Sequence, residues 1–285
     1  MDCFRFEDRC TLDVSETESK VVLSNKIVTT MTHHHEQTFH WALVMSVFAA
    51  LLLLSVSCLP VDAVEQVYVK LYVDEEERLD DQRWQHRSRT RLHAASKILE
   101  RYSGIRFTIS DFGRWLSDNE KMEFAESLRE FEQEVSVGRN EIAVGFTSQY
   151  RFQRRRHRLG GTRGPLHTHI LIRENNPRAI ENERLEVFVH ELGHFLGAVH
   201  SDRHDSVMRP VLGDGQARSR RFQIGFDQKN AQIIRLVSNE VRFLDVRRFH
   251  QLSTSTKDTL RNLYAEMAET FPQDPAARQF LQLIR

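Results

Sequence analysis

The stretch on which the reading turns is His190-Glu191-Leu192-Gly193-His194-Phe195-Leu196-Gly197-Ala198-Val199-His200. His190 and His194 stand four residues apart. On a helix that spacing stacks both imidazoles on one face, one turn apart, where two nitrogens can converge on one zinc ion at about 2.0–2.1 Å. Glu191 is turned by about 100° from His190, which lets it reach a water on the metal without being a ligand. Gly197 stops the helix, because glycine takes the left-handed conformation at little cost. The chain then doubles back and brings His200 to the same ion. Three neutral imidazoles leave one tetrahedral position open, the arrangement of a catalytic zinc. Asp202 and His204 are competing candidates for the third ligand. A core helix that merely carries histidines also fits the apolar stripe Leu185, Val189, Leu192 and Leu196. It is a poor account of a glycine and a third histidine at fixed spacing.

The rest of the composition narrows the chemistry. The chain has 285 residues, 40% hydrophobic and 28% charged, enough for one large or two small domains with a real core. Its three cysteines are Cys3, Cys10 and Cys58. Beyond them a disulfide framework, a thiol nucleophile and a cysteine-ligated zinc ribbon are excluded. Lys+Arg and Asp+Glu are both 40, and without a basic excess no nucleic-acid partner is expected.

Trp41–Leu59, WALVMSVFAALLLLSVSCL, is uncharged and long enough to span a membrane. Pro60 follows it, and Val61-Asp62-Ala63 resembles a small-x-small cleavage site, so residues 41–63 read as a secretory signal peptide or as a retained membrane anchor. A buried core helix is the remaining alternative. Residues 1–40 hold seven acids and four bases, unlike a short positive n-region. They read as a disordered extension, or the true start lies downstream, at Met31 for example. His33-His34-His35 in this segment carries no assigned function. Either main reading makes the protein secreted or held in the cell envelope, with residues 64–285 outside the cytoplasm.

Beyond residue 64 the patterning predicts a strand at 65–73, a helix over Gln82–Tyr102 stopped by Gly104, and a short strand at Ile105–Ile109. Ser117-x-x-Glu120 reads as a capping box before a helix that turns Phe124, Leu128, Phe131 and Val135 inward. A third strand follows at Glu141–Thr147 and a fourth around His167–Arg173. Helices are expected at about Asn182–Leu196 and Asp227–Val241, with a helical pair in the tail broken at Pro272–Pro275. The order implies one α/β (α+β) domain over 64–241: a twisted mixed sheet packed on helices, followed by a helical extension at 242–285. The role of that extension is left open.

The long zinc motif, together with Ser201 and the later Ser206-Val207-Met208-Arg209-Pro210, resembles the metzincin metalloproteases, and among them most closely the matrixins, over about Val64–Val241. The resemblance implies a zincin-like fold and an extracellular zinc endopeptidase. His190, His194 and His200 would be the ligands, Glu191 the general base toward a zinc-activated water, and Met208 a non-ligand floor beneath the metal. Protein or peptide would be the substrate. Proline two places after Met208 argues against a tyrosine ligand. No cysteine-bearing pro-segment has room before residue 65, and structural calcium is uncertain. The helix near Ser117–Val135 is an insertion relative to the family pattern. His167–Arg173 is taken as the edge strand for an extended peptide, with His167, His169 and Arg209 as candidate substrate-binding residues. The basic stretch 151–163 reads as a solvated loop or as an attractor of anionic substrate, which would favour acidic side chains after the cut. A zinc-binding module without activity and a narrowly restricted zinc hydrolase are the alternatives.

Overall fold

The computed structural model describes residues 64–285, apart from 122, 148–158, 175–177, 220 and 285. The signal or anchor segment, the N-terminal histidines, all three cysteines and most of the basic loop lie outside the described residues. From residue 63 onward the chain forms one compact unit.

Its frame is a five-stranded sheet in the order β2-β1-β3-β5-β4. The strands are β1 Glu65–Asp74, β2 Ile105–Trp115, β3 Glu141–Thr147, β4 Gly160–Gly161 and β5 His169–Arg173. β1 pairs in parallel with β2 and β3, and β3 in parallel with β5. Only β4 runs antiparallel. Side chains alternate between the sheet's two faces. Val67, Val69 and Leu71 of β1, Ile142, Val144 and Phe146 of β3, and Ile170 and Ile172 of β5 enter the main core. There they meet α1, Asp81–Ser103, and α3, Glu181–Phe195. Ala143 and Leu171 point the other way, into a smaller cluster with Trp115 and with Leu128, Phe131 and Val135 at α2, Phe124–Glu134.

Three sequence expectations change. β2 runs on to Trp115, because its register with β1 slips between Val69 and Lys70 and pairing resumes at Asp111. Among the added residues Ser110, Asp111 and Arg114 are exposed and only Trp115 is buried, so no alternation marked them. The capping box at Ser117 does not form. Ser117 instead donates from its backbone N and its Oγ to the Glu75 carboxylate, at 2.9 and 3.0 Å, and α2 starts after Glu123. Finally, His167–Arg173 is not the edge. β5 is paired on both sides, and β4, just Gly160–Gly161, is outermost among the described strands.

α4, Gln228–Leu244, packs on the main core, followed by α5, Thr254–Thr270, and α6, Ala276–Leu283. Leu260, Tyr264, Met267, Ala277 and Phe280 from the last two helices join the same apolar cluster as the α3 residues.

Candidate metal centre

α3 carries His190, Glu191 and His194 on its last turns. The helix ends at Phe195, and Gly197 follows with φ +91°, a conformation that disfavours any side chain. That turn directs the chain back so that His200 faces the two helical histidines. The ring centroids lie 4.6 Å (His190–His194), 5.3 Å (His190–His200) and 5.0 Å (His194–His200) apart. His190, His194 and His200 are the one metal-competent trio of His, Cys, Asp or Glu among the described residues, with ligand atoms within 4.8 Å of one another. Asp202 and His204 are not part of it.

Hydrogen bonds fix which nitrogen each ring offers. A carbonyl oxygen only accepts, so His190 Nδ1 donates to Val207 O at 2.8 Å and His194 Nδ1 donates to Ala198 O at 2.8 Å. His200 Nδ1 donates to the Asp274 carboxylate, also at 2.8 Å. That leaves the Nε2 side of each ring toward the site, and His190 Nε2 and His194 Nε2 stand 3.0 Å apart. Corners of a tetrahedron around zinc would be about 3.3 Å apart for the usual Zn–N length. The donor set therefore fits zinc. Burial pushes His190 down to about 3, with His200 and Arg209 adding to it, so this ring is neutral and ready to ligate.

Glu191 is buried and lies against the edge strand, its Oε1 2.7 Å from where a Cβ on Gly160 would stand. Met208 is fully buried, and its Sδ is 3.0 Å from where a Cβ on Gly193 would stand, so the turn packs directly on the helix that carries the ligands. The turn is anchored by Ser201 N donating to Met208 O at 2.9 Å and Ser206 Oγ donating to Asp227 at 2.8 Å. Asn230 Oδ1, at the start of α4, accepts from Val199 N at 2.9 Å.

The three residues read as substrate-binding sit elsewhere. His169 shares the face of Leu171, turned from α3 toward α2. It is buried there, with Nε2 2.7 Å from Val135 O and its ring edge-on to Phe131. His167 lies two residues earlier and stands 3.7 Å from Glu132. Neither lines the cleft over the histidines. Arg209 is buried too, with Nη1 2.7 Å from Glu186 of α3 and Nη2 3.0 Å from Asp214. It ties the Met208 turn to the helix and does not line the cleft. Strand parity placed His169, and distant carboxylate partners hold Arg209.

The cleft over the metal site has a volume of about 440 Å³. One wall is Leu159–Gly164, including β4, and another is Pro210 and Leu212 beyond the turn. The third wall is unexpected: Ala276, Gln279, Phe280, Gln282 and Leu283 of α6. The Phe280 ring lies 6.3 Å from His194 and 5.9 Å from Tyr264, whose hydroxyl donates to Gly197 O at 2.7 Å. The sequence signalled only a helical pair in the tail, which does not say what it covers.

An α/β sheet packed on a helix that carries two of the three clustered histidines, with the third on the loop after it, is the arrangement of a zinc metallopeptidase, a hydrolase. The family model described as matrixin matches residues 80–234, more than half the chain, and the chain belongs to the matrixin family. No curated protein matches it. Among solved structures, archaemetzincin from Methanopyrus kandleri is similar at 14% identity and a TM-score of 0.43, over 59% of this chain and 93% of that one.

Proposed function

We propose that this chain is an extracellular zinc endopeptidase with Glu191 as general base. The observation that carries the reading is the position of Glu191: buried beside two ligands, at the floor of the cleft, against the edge strand. Zinc held by His190, His194 and His200 would acidify a water to a pKa of about 7 and polarise the scissile carbonyl. The chain's own part is proton handling and positioning. The Glu191 carboxylate takes the proton of the attacking water while the oxygen bonds to the carbonyl carbon. It then delivers that proton to the amine as the C–N bond breaks. An extended peptide laid along β4 would be held by backbone pairing, which tolerates many side chains. The wall made by α6 narrows the cleft and favours a restricted set of substrates over general proteolysis.

The location outside the cytoplasm rests on the apolar stretch at 41–59 and the cleavage-like site after it. Among the described residues no helix is long and apolar enough to cross a membrane. N-terminal sequencing of the mature protein tests this part: a start near Val64 supports secretion, an intact N-terminus in the membrane fraction supports an anchor, and an intact soluble cytoplasmic chain contradicts both. The enzymatic part is tested by peptide cleavage beside a Glu191→Ala variant.

A further inference from the structure

We propose that Asp274, in the turn between α5 and α6, is a positioning residue for the zinc ligand His200, which makes the C-terminal helical pair a component of the metal centre. The inference rests on the zinc reading of the three histidines and goes beyond it.

The three ligands differ in what holds them. His190 and His194 are braced by backbone carbonyls close to the motif itself, Val207 and Ala198. His200 lies on a loop after the helix and is braced by a carboxylate 74 residues away in sequence. That carboxylate is fixed at both oxygens. Oδ2 accepts from His200 Nδ1 at 2.8 Å, and Oδ1 accepts from the backbone N of Ala276, the first residue of α6, at 2.8 Å. The side chain is only 14% exposed. Asp274 therefore cannot swing away without loosening the start of α6, and α6 is itself seated by Phe280 between His194 and Tyr264. A carboxylate on Nδ1–H locks the tautomer that presents Nε2 and makes that nitrogen a better donor to a metal. Loss of such a partner typically weakens metal affinity by 10- to 100-fold. Helix capping alone is the competing account of Asp274. It predicts a lower melting temperature with unchanged metal affinity for the folded protein.

The test uses the full chain as wild type, Asp274→Ala and Asp274→Asn. Zinc affinity is read by competition with a chromogenic chelator, and ligand geometry by the visible spectrum of the cobalt(II)-loaded protein. Circular dichroism of the zinc-free forms reports folding. The expected result is roughly 10- to 100-fold weaker zinc binding in Asp274→Ala, with an altered cobalt spectrum. Asp274→Asn, which keeps an acceptor oxygen without the charge, should recover part of the loss. Asparagine keeps the side chain's size and one of its two acceptors, so it decides the matter if the alanine variant does not fold. Zinc affinity and cobalt spectrum indistinguishable from wild type in a folded variant would overturn the inference and leave the three-histidine site standing. A wild-type chain that binds no zinc would overturn both.

Discussion

In the proposed mechanism Glu191 carries the proton, and replacing it with alanine removes that role but none of the three imidazoles. Zinc content should stay near wild type while turnover falls by about 10²–10⁴-fold, measured as peptide cleavage against metal content of the same sample. His190 makes a second prediction. Burial holds it near 3, against 6.5 in an unfolded chain. Its contribution to zinc-free stability is complete above pH 6.5 and is lost as pH falls toward 3, because the unfolded chain takes up the proton first. Denaturant unfolding of the zinc-free protein should lose up to about 1.4 kcal/mol per pH unit from this ring below pH 6.5. A His190→Gln variant should show a shallower slope. Arg209 is the third case. With Glu186 wholly buried beside it, Arg209→Ala strands a carboxylate in the core, and a loss of about 3–5 kcal/mol in unfolding free energy is expected. A variant as stable as wild type, with altered substrate preference instead, would return Arg209 to the substrate role its sequence position suggested.

At the level of elements, the site depends on how α3 ends. Gly197 has φ +91°, and a Cβ there would meet Tyr264 Oη at 3.1 Å. Gly197→Ala should therefore destabilise the protein by about 1–3 kcal/mol and weaken zinc binding, since the same turn aims His200. Melting temperature and chelator competition check both effects. These elements also show what a sequence can and cannot disclose. The histidine spacing and the stop at Gly197 were legible because helical geometry alone places those side chains. α1, β1 and α3 were legible from their periodicity, and β3 as a short apolar run. β4 was not, because a two-glycine strand has no side-chain pattern. Nor were the partners Asp274 for His200 and Glu186 for Arg209, because contacts between distant segments leave no local signature. His167 and His169 show the sharpest limit. Their shared strand face was readable, but which face looked toward α3 was settled only by the packing of the whole sheet.

Across the whole molecule, the three histidines lie within eleven residues of one another but are braced by segments far apart in sequence. α3, the Met208 turn and the α5–α6 pair meet around the three histidines, so binding there should stabilise the entire unit rather than one loop. At a free zinc concentration 100-fold above the dissociation constant the gain is about 2.7 kcal/mol. For a unit of this size, that corresponds to a rise of about 5–10 °C in melting temperature, removed by a chelator and restored by added zinc. The central claim is that this assembly is a zinc peptidase worked by Glu191. Its most direct test is zinc per chain together with cleavage of a broad peptide library by the purified protein, beside Glu191→Ala. The account predicts about one zinc per chain in both proteins and cleavage in the wild type alone. A chain without zinc, or a Glu191→Ala protein that cuts at the wild-type rate, would contradict it.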